Sequence, residues 1–174
     1  MFLGTLLLQY IRFEHWMGEN RYDAIILRAA VEYNADPNLI KAVILRESKF
    51  DPKDIGKAGE RGLMQVTEVV GGEWAKANRI DGFQPGRLFD PETNIRAGTW
   101  YLMKAINNWE AAADPVAIGL AEYNAGRSRV LQWVDDQSLT DPAHFIGRIA
   151  FPSTQLYVRT IMQQQRYYAN NGEF

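Results

Sequence analysis

Residues 36–48 read DPNLIKAVILRES and predict a helix that carries a carboxylate on its buried side. Asp at the N-cap followed by Pro at the first helical position is a common helix start. On a helical projection, a face spanning about 80° groups three aliphatic residues with a glutamate: Ile40, Val43, Ile44 and Glu47. A carboxyl group removed from water keeps its proton to higher pH, so Glu47 is a candidate general acid. The competing interpretation is that Glu47, in the last turn, bends into solvent or pairs with an Arg.

The same start signal recurs along the chain and predicts an all-α fold. Five of the seven prolines follow Asp, and a periodic apolar segment begins at three of these pairs: Asp36-Pro37, Asp90-Pro91 and Asp114-Pro115. The predicted helices cover residues 22–33, 37–48, 67–76, 91–109, 115–125, 128–133 and 153–169. Between residues 50 and 62, three glycines among charged residues predict an ordered loop with room for a small β-hairpin.

Composition narrows the classes of function. A chain of 174 residues is long enough for one domain, which would bury about 70% of its extended surface. There is no Cys, and the two histidines, His15 and His144, lie far apart, so we expect neither a metal site nor a cofactor. The net charge of −2 supplies no positive field for a polyphosphate backbone, so nucleic acid is a poor candidate partner.

The candidate acid belongs to the first of four short blocks that occur in a fixed order. They are Glu47-Ser48, Gly62-Leu63-Met64-Gln65, Glu122-Tyr123-Asn124-Ala125-Gly126 and Tyr157-Val158. In order and spacing these blocks resemble the signature of the lytic transglycosylases related to the soluble lytic murein transglycosylase. The resemblance covers roughly residues 22–168, which is nearly the whole chain, whereas a single block such as Glu-Ser would carry no information.

The resemblance implies a lysozyme-like helical domain that acts on peptidoglycan. Glu47 would protonate the oxygen of the β-1,4 bond between N-acetylmuramic acid and N-acetylglucosamine. The substrate's own acetamide and 6-hydroxyl would then do the work of a second carboxylate, so that Glu47 is the sole acid/base and the product is a 1,6-anhydro sugar. Glycan strands are the implied partner, and the sequence names no assembly partner in the cell envelope.

The resemblance also carries over five substrate-binding residues: Ser48, Gln65, Tyr123, Asn124 and Tyr157. It implies that Gln65 contacts the sugar, that Tyr123 reaches Glu47 and that Tyr157 steadies the acid. Core packing is the competing interpretation for both tyrosines, since Tyr123 shares a helical stripe with Val116 and Leu120. For Asn124 we favour a structural role behind the substrate contacts.

Residues 1–21 are predicted to lie outside the lysozyme-like catalytic domain, which we assign to residues 22–174. The apolar run at residues 2–13 is too short to cross a bilayer and has no Lys or Arg ahead of it. It is either a helix packed on the domain or the remnant of an export signal. The implied substrate predicts a place in the cell envelope, periplasmic or secreted, although no export signal is evident.

The chain departs from the family pattern at several positions. Gly56 stands nine positions after Glu47, where the family often has a Ser that touches the acetamide. Thr67 and Glu68 replace a usual Met-Pro pair, and Gly147 and Ala150 replace a usual Glu and Pro. Glu122 replaces a small residue, and its projection, about 160° from Asn124, predicts a solvated side chain.

Two other functions remain open. A hydrolytic muramidase like the goose-type lysozymes shares Glu-Ser and Gly-Leu-Met-Gln but has Asp where this chain has Thr67. Hydrolysis also needs a second base, and the loop positions of Asp51, Asp54 and Glu60 predict solvated carboxylates. A non-catalytic glycan-binding or assembly module that keeps the fold is the third possibility, and its mark would be the loss of Glu47.

Overall fold

Four of the five Asp-Pro pairs start helices in the structure, a computed structural model that describes residues 18–172 and 174. At these starts the Asp carboxylate accepts a backbone N–H at 2.9 to 3.1 Å. Asp141-Pro142 is the start that the sequence analysis did not predict. The fifth pair forms a turn in which Asp51 accepts the Lys53 N–H at 2.8 Å.

Eight α-helices form most of the described chain. They are α1 (Asp23–Tyr33), α2 (Pro37–Ser48), α3 (Glu68–Ala77), α4 (Pro91–Asn107), α5 (Pro115–Ala125), α6 (Arg127–Trp133), α7 (Pro142–Arg148) and α8 (Pro152–Asn171). Two 3₁₀ turns, Pro85–Phe89 and Gln137–Leu139, join them. The predicted all-α class is confirmed, and each of the seven predicted helices agrees within two residues at its ends. Helix α7 was missed because its two buried apolar residues, Phe145 and Ile146, are adjacent and show no helical spacing.

The predicted hairpin is reduced to isolated pairings. Within the described residues, the loop after α2 has no strand and forms two β-bridges, Ile55 with Arg61 and Arg61 with Val66. Lys49 and Phe50, both with positive φ, end α2 and turn the chain into this loop. The loop therefore starts directly beside the last turn of α2, where Glu47 lies.

Helix α8 joins α2 and α5 in the core. Helix α2 packs against α8, and α5 packs against both α4 and α8. The stripe predicted on α2 is fully buried, with Ile40, Val43 and Ile44 at 0% exposure. Helix α5 is buried on most sides, as its run of Ala, Ile, Gly and Leu requires. Helix α8 thus packs against both α2 and α5, and it carries Tyr157 of the fourth block while α5 carries Tyr123 of the third.

The predicted N-terminal helix or signal remnant at residues 1–21 falls mostly on residues 1–17, which lie outside the described residues. Within the part of the chain that the structure describes, no helix has the length and apolar character needed to cross a membrane.

Candidate active site

The Gly62-Leu63-Met64-Gln65 block forms a tight turn that Asn94 of α4 holds from behind. Asn94 donates to the carbonyls of Arg61 and Leu88, both at 2.7 Å, and accepts the Met64 N–H at 2.8 Å. Gly62 has φ of 72°, and a Cβ there would lie 2.6 Å from both the Asn94 amide and the Leu88 carbonyl. Only glycine fits this position. Sequence analysis missed Asn94 because nothing distinguishes it from the other polar residues of α4.

Glu47 lies in the last turn of α2, on the buried stripe, and its side chain is half-buried. It reaches a cavity of about 370 Å³ that opens between the loop after α2 and α5. Burial is the largest cause that raises the pKa of Glu47, to about 7. A hydrogen bond from Tyr157 and the charge of Arg46 act in the opposite direction. Near neutral pH the carboxyl group is thus divided between its acid and its carboxylate form.

Tyr157 of α8 is the group that contacts the acid. Its hydroxyl donates to Glu47 Oε1 at 2.6 Å, and its ring is 2% exposed. Burial raises the pKa of Tyr157 well above its ordinary value, so the phenol stays protonated and remains a donor. The guanidinium of Arg46 lies 5.5 Å from the ring centroid. Tyr157 therefore packs in the core and also orients the Glu47 carboxyl group.

Tyr123 of α5 has a different partner from the one that the resemblance implies. Its hydroxyl donates to the Met64 carbonyl at 2.7 Å, which ties α5 to the Gly-Leu-Met-Gln turn. A phenol has one proton to donate, so this bond leaves none for Glu47. Tyr123 lines the cavity nonetheless, with its ring 5.4 Å from that of Tyr101. Burial raises its pKa, which keeps the hydroxyl protonated.

Gln65 faces the cavity with its amide held in one orientation. Its Nε2 donates to the Gly62 carbonyl at 2.9 Å and to the Asp54 carbonyl at 3.3 Å. Two carbonyl acceptors identify the nitrogen, so the amide oxygen points to the other side, toward Gly56. The backbone of Gln65 has a positive φ of 49°. Backbone strain at a pocket residue of this kind is typical of functional sites.

Two other predicted substrate-binding residues have partners within the protein. Ser48 is buried, and its hydroxyl donates to the Leu63 carbonyl at 2.8 Å, so it supports the turn and does not line the cavity. Asn124 borders the cavity, and its side-chain oxygen accepts the Thr154 hydroxyl at 2.8 Å. Asn124 thus joins α5 to α8, which agrees with the structural role favoured from sequence.

The cavity also contains residues that the sequence analysis did not assign to the site. Glu60 and Gly56 come from the loop after α2, and Tyr101 comes from α4. Glu60 was predicted to be solvated, but its side chain is partly buried and its carboxylate lies over Gly56. A charged residue in a Gly-rich loop gives no periodic signal, and the pattern therefore could not reveal the direction in which Glu60 points.

The other departures from the family pattern have clear places in the structure. Thr67 lines the cavity and caps α3 by accepting the Val70 N–H at 3.2 Å. Gly147 and Ala150 are exposed and do not line the cavity. The prediction for Glu122 is wrong, since its side chain is 5% exposed and accepts the Trp109 indole N–H at 2.7 Å.

The donors available in the site do not form a metal centre. Among the described residues, no group of three or more His, Asp or Glu side chains could hold a metal ion. The arrangement instead provides one shielded acid, an oriented amide and a carboxylate around a space of about 370 Å³. Such a site can protonate a leaving group and bind neutral hydrogen-bonding ligands such as sugars.

Comparison with known proteins points to one family of enzymes. The chain is 33% identical over 129 residues to the soluble lytic murein transglycosylase of Escherichia coli K12, a match that covers 73% of this chain and 20% of the relative. It is 34% identical over 120 residues to the membrane-bound lytic murein transglycosylase C of Photorhabdus laumondii, covering 65% of this chain and 33% of the relative. This chain therefore spans about a fifth to a third of the length of these relatives.

Solved structures agree with the sequence relatives. The 70 kDa soluble lytic transglycosylase of Escherichia coli matches with a TM-score of 0.76 at 30% identity, over 86% of this chain and 24% of that one. An inactive glutamate-to-glutamine mutant of the lytic transglycosylase Slt of Pseudomonas aeruginosa matches equally well at 26% identity, over the same shares of the two chains. The model of the transglycosylase SLT domain matches residues 24–146, more than half of the chain. This chain belongs to the transglycosylase SLT domain family.

Proposed function

We propose that this chain is the catalytic domain of a peptidoglycan lytic transglycosylase, with Glu47 as its sole acid/base. The bond cleaved is the β-1,4 linkage between N-acetylmuramic acid and N-acetylglucosamine. The observation that carries the proposal is the Glu47 carboxyl group, which borders a cavity of sugar-binding character and has a pKa of about 7. A general acid works best when its pKa lies near the working pH.

In the first step Glu47 donates its proton to the oxygen that leaves. Tyr157 donates to Oε1, which assigns the acidic proton to Oε2. As the bond breaks, the acetamide oxygen of the muramic residue attacks the anomeric carbon and forms an oxazolinium ring. The carboxylate that remains on Glu47 is stabilised by the Tyr157 hydroxyl.

In the second step the same carboxylate acts as a base. It removes the proton of the 6-hydroxyl, whose oxygen attacks the anomeric carbon while the oxazolinium ring opens. The attack is intramolecular and has a high effective molarity, so no positioned water is needed. The products are a 1,6-anhydromuramoyl end and a free N-acetylglucosamine hydroxyl, and Glu47 regains its proton.

A hydrolytic muramidase is the second candidate, and one observation favours it. Glu60 borders the same cavity as Glu47, so the site contains a second carboxylate, and hydrolysis needs a second carboxylate as the base for water. The position where goose-type lysozymes have Asp is instead occupied by Thr67, whose hydroxyl caps α3. Glu47 is present with a raised pKa, which speaks against a purely glycan-binding module.

The proposed substrate also suggests where the protein works. Peptidoglycan strands would be its partner, and the cell envelope its location, periplasmic or secreted. The 70 kDa soluble lytic transglycosylase of Escherichia coli, a structural relative at 30% identity, has also been solved in complex with bulgecin A. Bulgecin A is therefore a reasonable ligand to test for binding to this chain.

Digestion of purified peptidoglycan in heavy-oxygen water tests the proposal. A transglycosylase releases muropeptides that are one water lighter than lysozyme products, lack a reducing end and carry no label. The Glu47→Gln variant, which keeps the shape of the side chain, should release these products about 10²-fold more slowly, or slower still. Reducing muramic acid that carries the heavy oxygen would instead identify a muramidase.

A further inference from the structure

In the loop after α2, the carboxylate of Glu60 occupies the part of the cavity wall where a side chain at position 56 would lie. A Cβ added to Gly56 would collide with the carboxylate oxygen Oε2 of Glu60, and it would lie 2.7 Å from the amide oxygen of Gln65. The space in which a side chain at position 56 would start is therefore filled by two oxygen acceptors. Glycine at position 56 leaves free the space that the Glu60 carboxylate occupies, and a serine there would displace the flexible ends of the Glu60 and Gln65 side chains.

The Glu60 carboxylate is held in this place by the loop itself. Its Oε2 accepts the Ala58 N–H at 3.0 Å, and this bond holds the side chain next to Gly56. The Gln65 amide is oriented by the Gly62 and Asp54 carbonyls, so its oxygen faces the same spot. Two acceptors that converge on one spot of a cavity recognise a donor, either N–H or O–H.

We infer that Glu60 binds the acetamide N–H of the muramic residue and replaces the missing serine as its partner in the reaction. The inference rests on the proposed transglycosylase function, because only there does the acetamide take part in the chemistry. A serine hydroxyl and a carboxylate can both accept a hydrogen bond from an N–H, and the carboxylate is the stronger acceptor. Glu60 would therefore be a substrate-binding residue of this site, and the glycine at position 56 leaves room for its carboxylate.

The chemistry explains why a carboxylate is useful there. When the acetamide oxygen bonds to the anomeric carbon, the C–O bond to the leaving group breaks and its oxygen takes the proton of Glu47. The positive charge of the oxazolinium ring is shared with the nitrogen, so its N–H becomes a stronger donor. A carboxylate that accepts this N–H is bound more tightly to the intermediate than to the substrate, which lowers the barrier.

The charge of Glu60 also acts on the acid. Glu60 and Asp54 both raise the pKa of Glu47 through their negative charges, after the larger effect of burial. Asp54 does not line the cavity, whereas Glu60 does. The two carboxylates thus share an electrostatic effect on Glu47 and differ in their access to the substrate, which makes Asp54 a matched control.

The first test compares Glu60→Gln with Asp54→Asn. We measure kcat and KM on peptidoglycan fragments and the affinity for a thiazoline analogue of N-acetylmuramic acid, which has the ring of the intermediate. Glu60→Gln should lower kcat and thiazoline affinity by about tenfold or more, as expected for a charged hydrogen bond, with a smaller change in KM. Asp54→Asn should leave thiazoline affinity within about twofold, although both variants lower the pKa of Glu47.

The second test restores the usual arrangement of the family. The backbone of Gly56 does not have a positive φ, so a serine fits there once the Glu60 side chain is removed and the Gln65 amide oxygen, which would lie 2.7 Å from its Cβ, shifts away. Glu60→Ala alone should be impaired, and the Gly56→Ser/Glu60→Ala double variant should recover several-fold in kcat. A role for Glu60 in holding the loop would give no such recovery, because serine at position 56 does not replace the bond to the Ala58 N–H.

The outcomes separate this inference from the proposed function. Glu110→Gln, an exposed carboxylate outside the cavity, should behave as the wild type. If Glu60→Gln retains kcat and thiazoline affinity while the wild type still makes anhydro products, the role of Glu60 is refuted and the function stands. If Glu60→Gln abolishes activity and the wild-type products carry heavy oxygen from water, Glu60 is the base of a hydrolase, and both are refuted.

Discussion

Glu47 and Glu122 both point into the protein, but their surroundings differ. Glu122, which is 5% exposed, accepts hydrogen bonds from Asn108 and Trp109, both at 2.7 Å, and lies 3.3 Å from the Arg127 guanidinium. Glu47 accepts the Tyr157 hydroxyl at 2.6 Å and borders the cavity. The partners of Glu122 compensate its charge, whereas burial makes ionisation of Glu47 costly and raises its pKa to about 7.

This difference separates a structural carboxylate from a reactive one. Burial alone does not make an acid, because donors and a cation around Glu122 supply what water would supply. Glu47 has less compensation and an open path to a ligand, and these are the conditions for proton transfer. The same residue type therefore serves stability in one region and chemistry in the other.

The largest expected effect is on catalysis, from Glu47→Gln. Removing the transferable proton should lower turnover on peptidoglycan by about 10²-fold or more, because no other group can protonate the leaving oxygen. Glycan binding should survive, since the shape of the site is kept. Glu122→Gln is the matched control and should keep turnover per folded molecule within about threefold. Near wild-type turnover of folded Glu47→Gln would remove Glu47 from the mechanism.

Glu122→Ala should affect stability, whereas Glu47→Gln affects catalysis. The change at Glu122 leaves the Trp109 indole N–H buried without its acceptor, and it also removes the partner of the exposed Asn108 amide and of Arg127. The free energy of unfolding should fall by about 3 kcal/mol. Urea unfolding of both proteins measures it, and a loss below about 0.5 kcal/mol would show that these contacts do not hold α4 and α5 together.

Ionisation of Glu47 should also cost stability as pH rises. The pKa of Glu47 is raised in the folded state, so its stabilising effect is complete below the ordinary pKa of a glutamate and is lost as pH rises to about 7. Glu47→Gln cannot ionise and should gain about 2 kcal/mol relative to the wild type between pH 4 and pH 8, after allowance for partial exposure. Urea unfolding at both pH values measures this gain, and an equal difference at the two would contradict the raised pKa.

The smallest effects come from the two tyrosines. Tyr157→Phe removes the hydrogen bond that lowers the pKa of Glu47, so that pKa should rise and the alkaline limb of the kcat/KM profile should move to higher pH. Tyr123→Phe removes a bond to the Met64 carbonyl and should cost about 1 kcal/mol of stability without moving that limb. Profiles that move equally in both variants would show that Tyr123 also acts on the acid.

Periodicity was enough to predict the all-α fold and the place of Glu47. The stripe of α2 predicts a buried carboxylate because Glu47 lies on the same face of the 3.6-residue helical repeat as the aliphatic residues of the stripe. The Asp-Pro starts predict helices because capping is local chemistry. Helix α7 was missed despite its Asp141-Pro142 start, since its buried apolar residues, Phe145 and Ile146, are adjacent and show no helical repeat.

Contacts between distant segments could not be predicted in this way. The burial of Glu122 depends on Trp109, whose indole N–H the turn after α4 brings within 2.7 Å. The partner of Tyr123 is a backbone carbonyl, which has no signature in the sequence. The position of Glu60 over Gly56 depends on the path of one loop. In each case the deciding quantity is the distance between segments, and no local pattern contains it.

Glu47 must keep its proton near neutral pH to act as the acid, and carbon-13 NMR titration of its side-chain carboxyl measures this directly. The resonance is assigned by its absence from the Glu47→Gln spectrum. We predict a midpoint near pH 7, well above those of the exposed glutamates in the same sample. A midpoint in the ordinary glutamate range, between about pH 4 and 5, would contradict the account of Glu47 as a shielded acid.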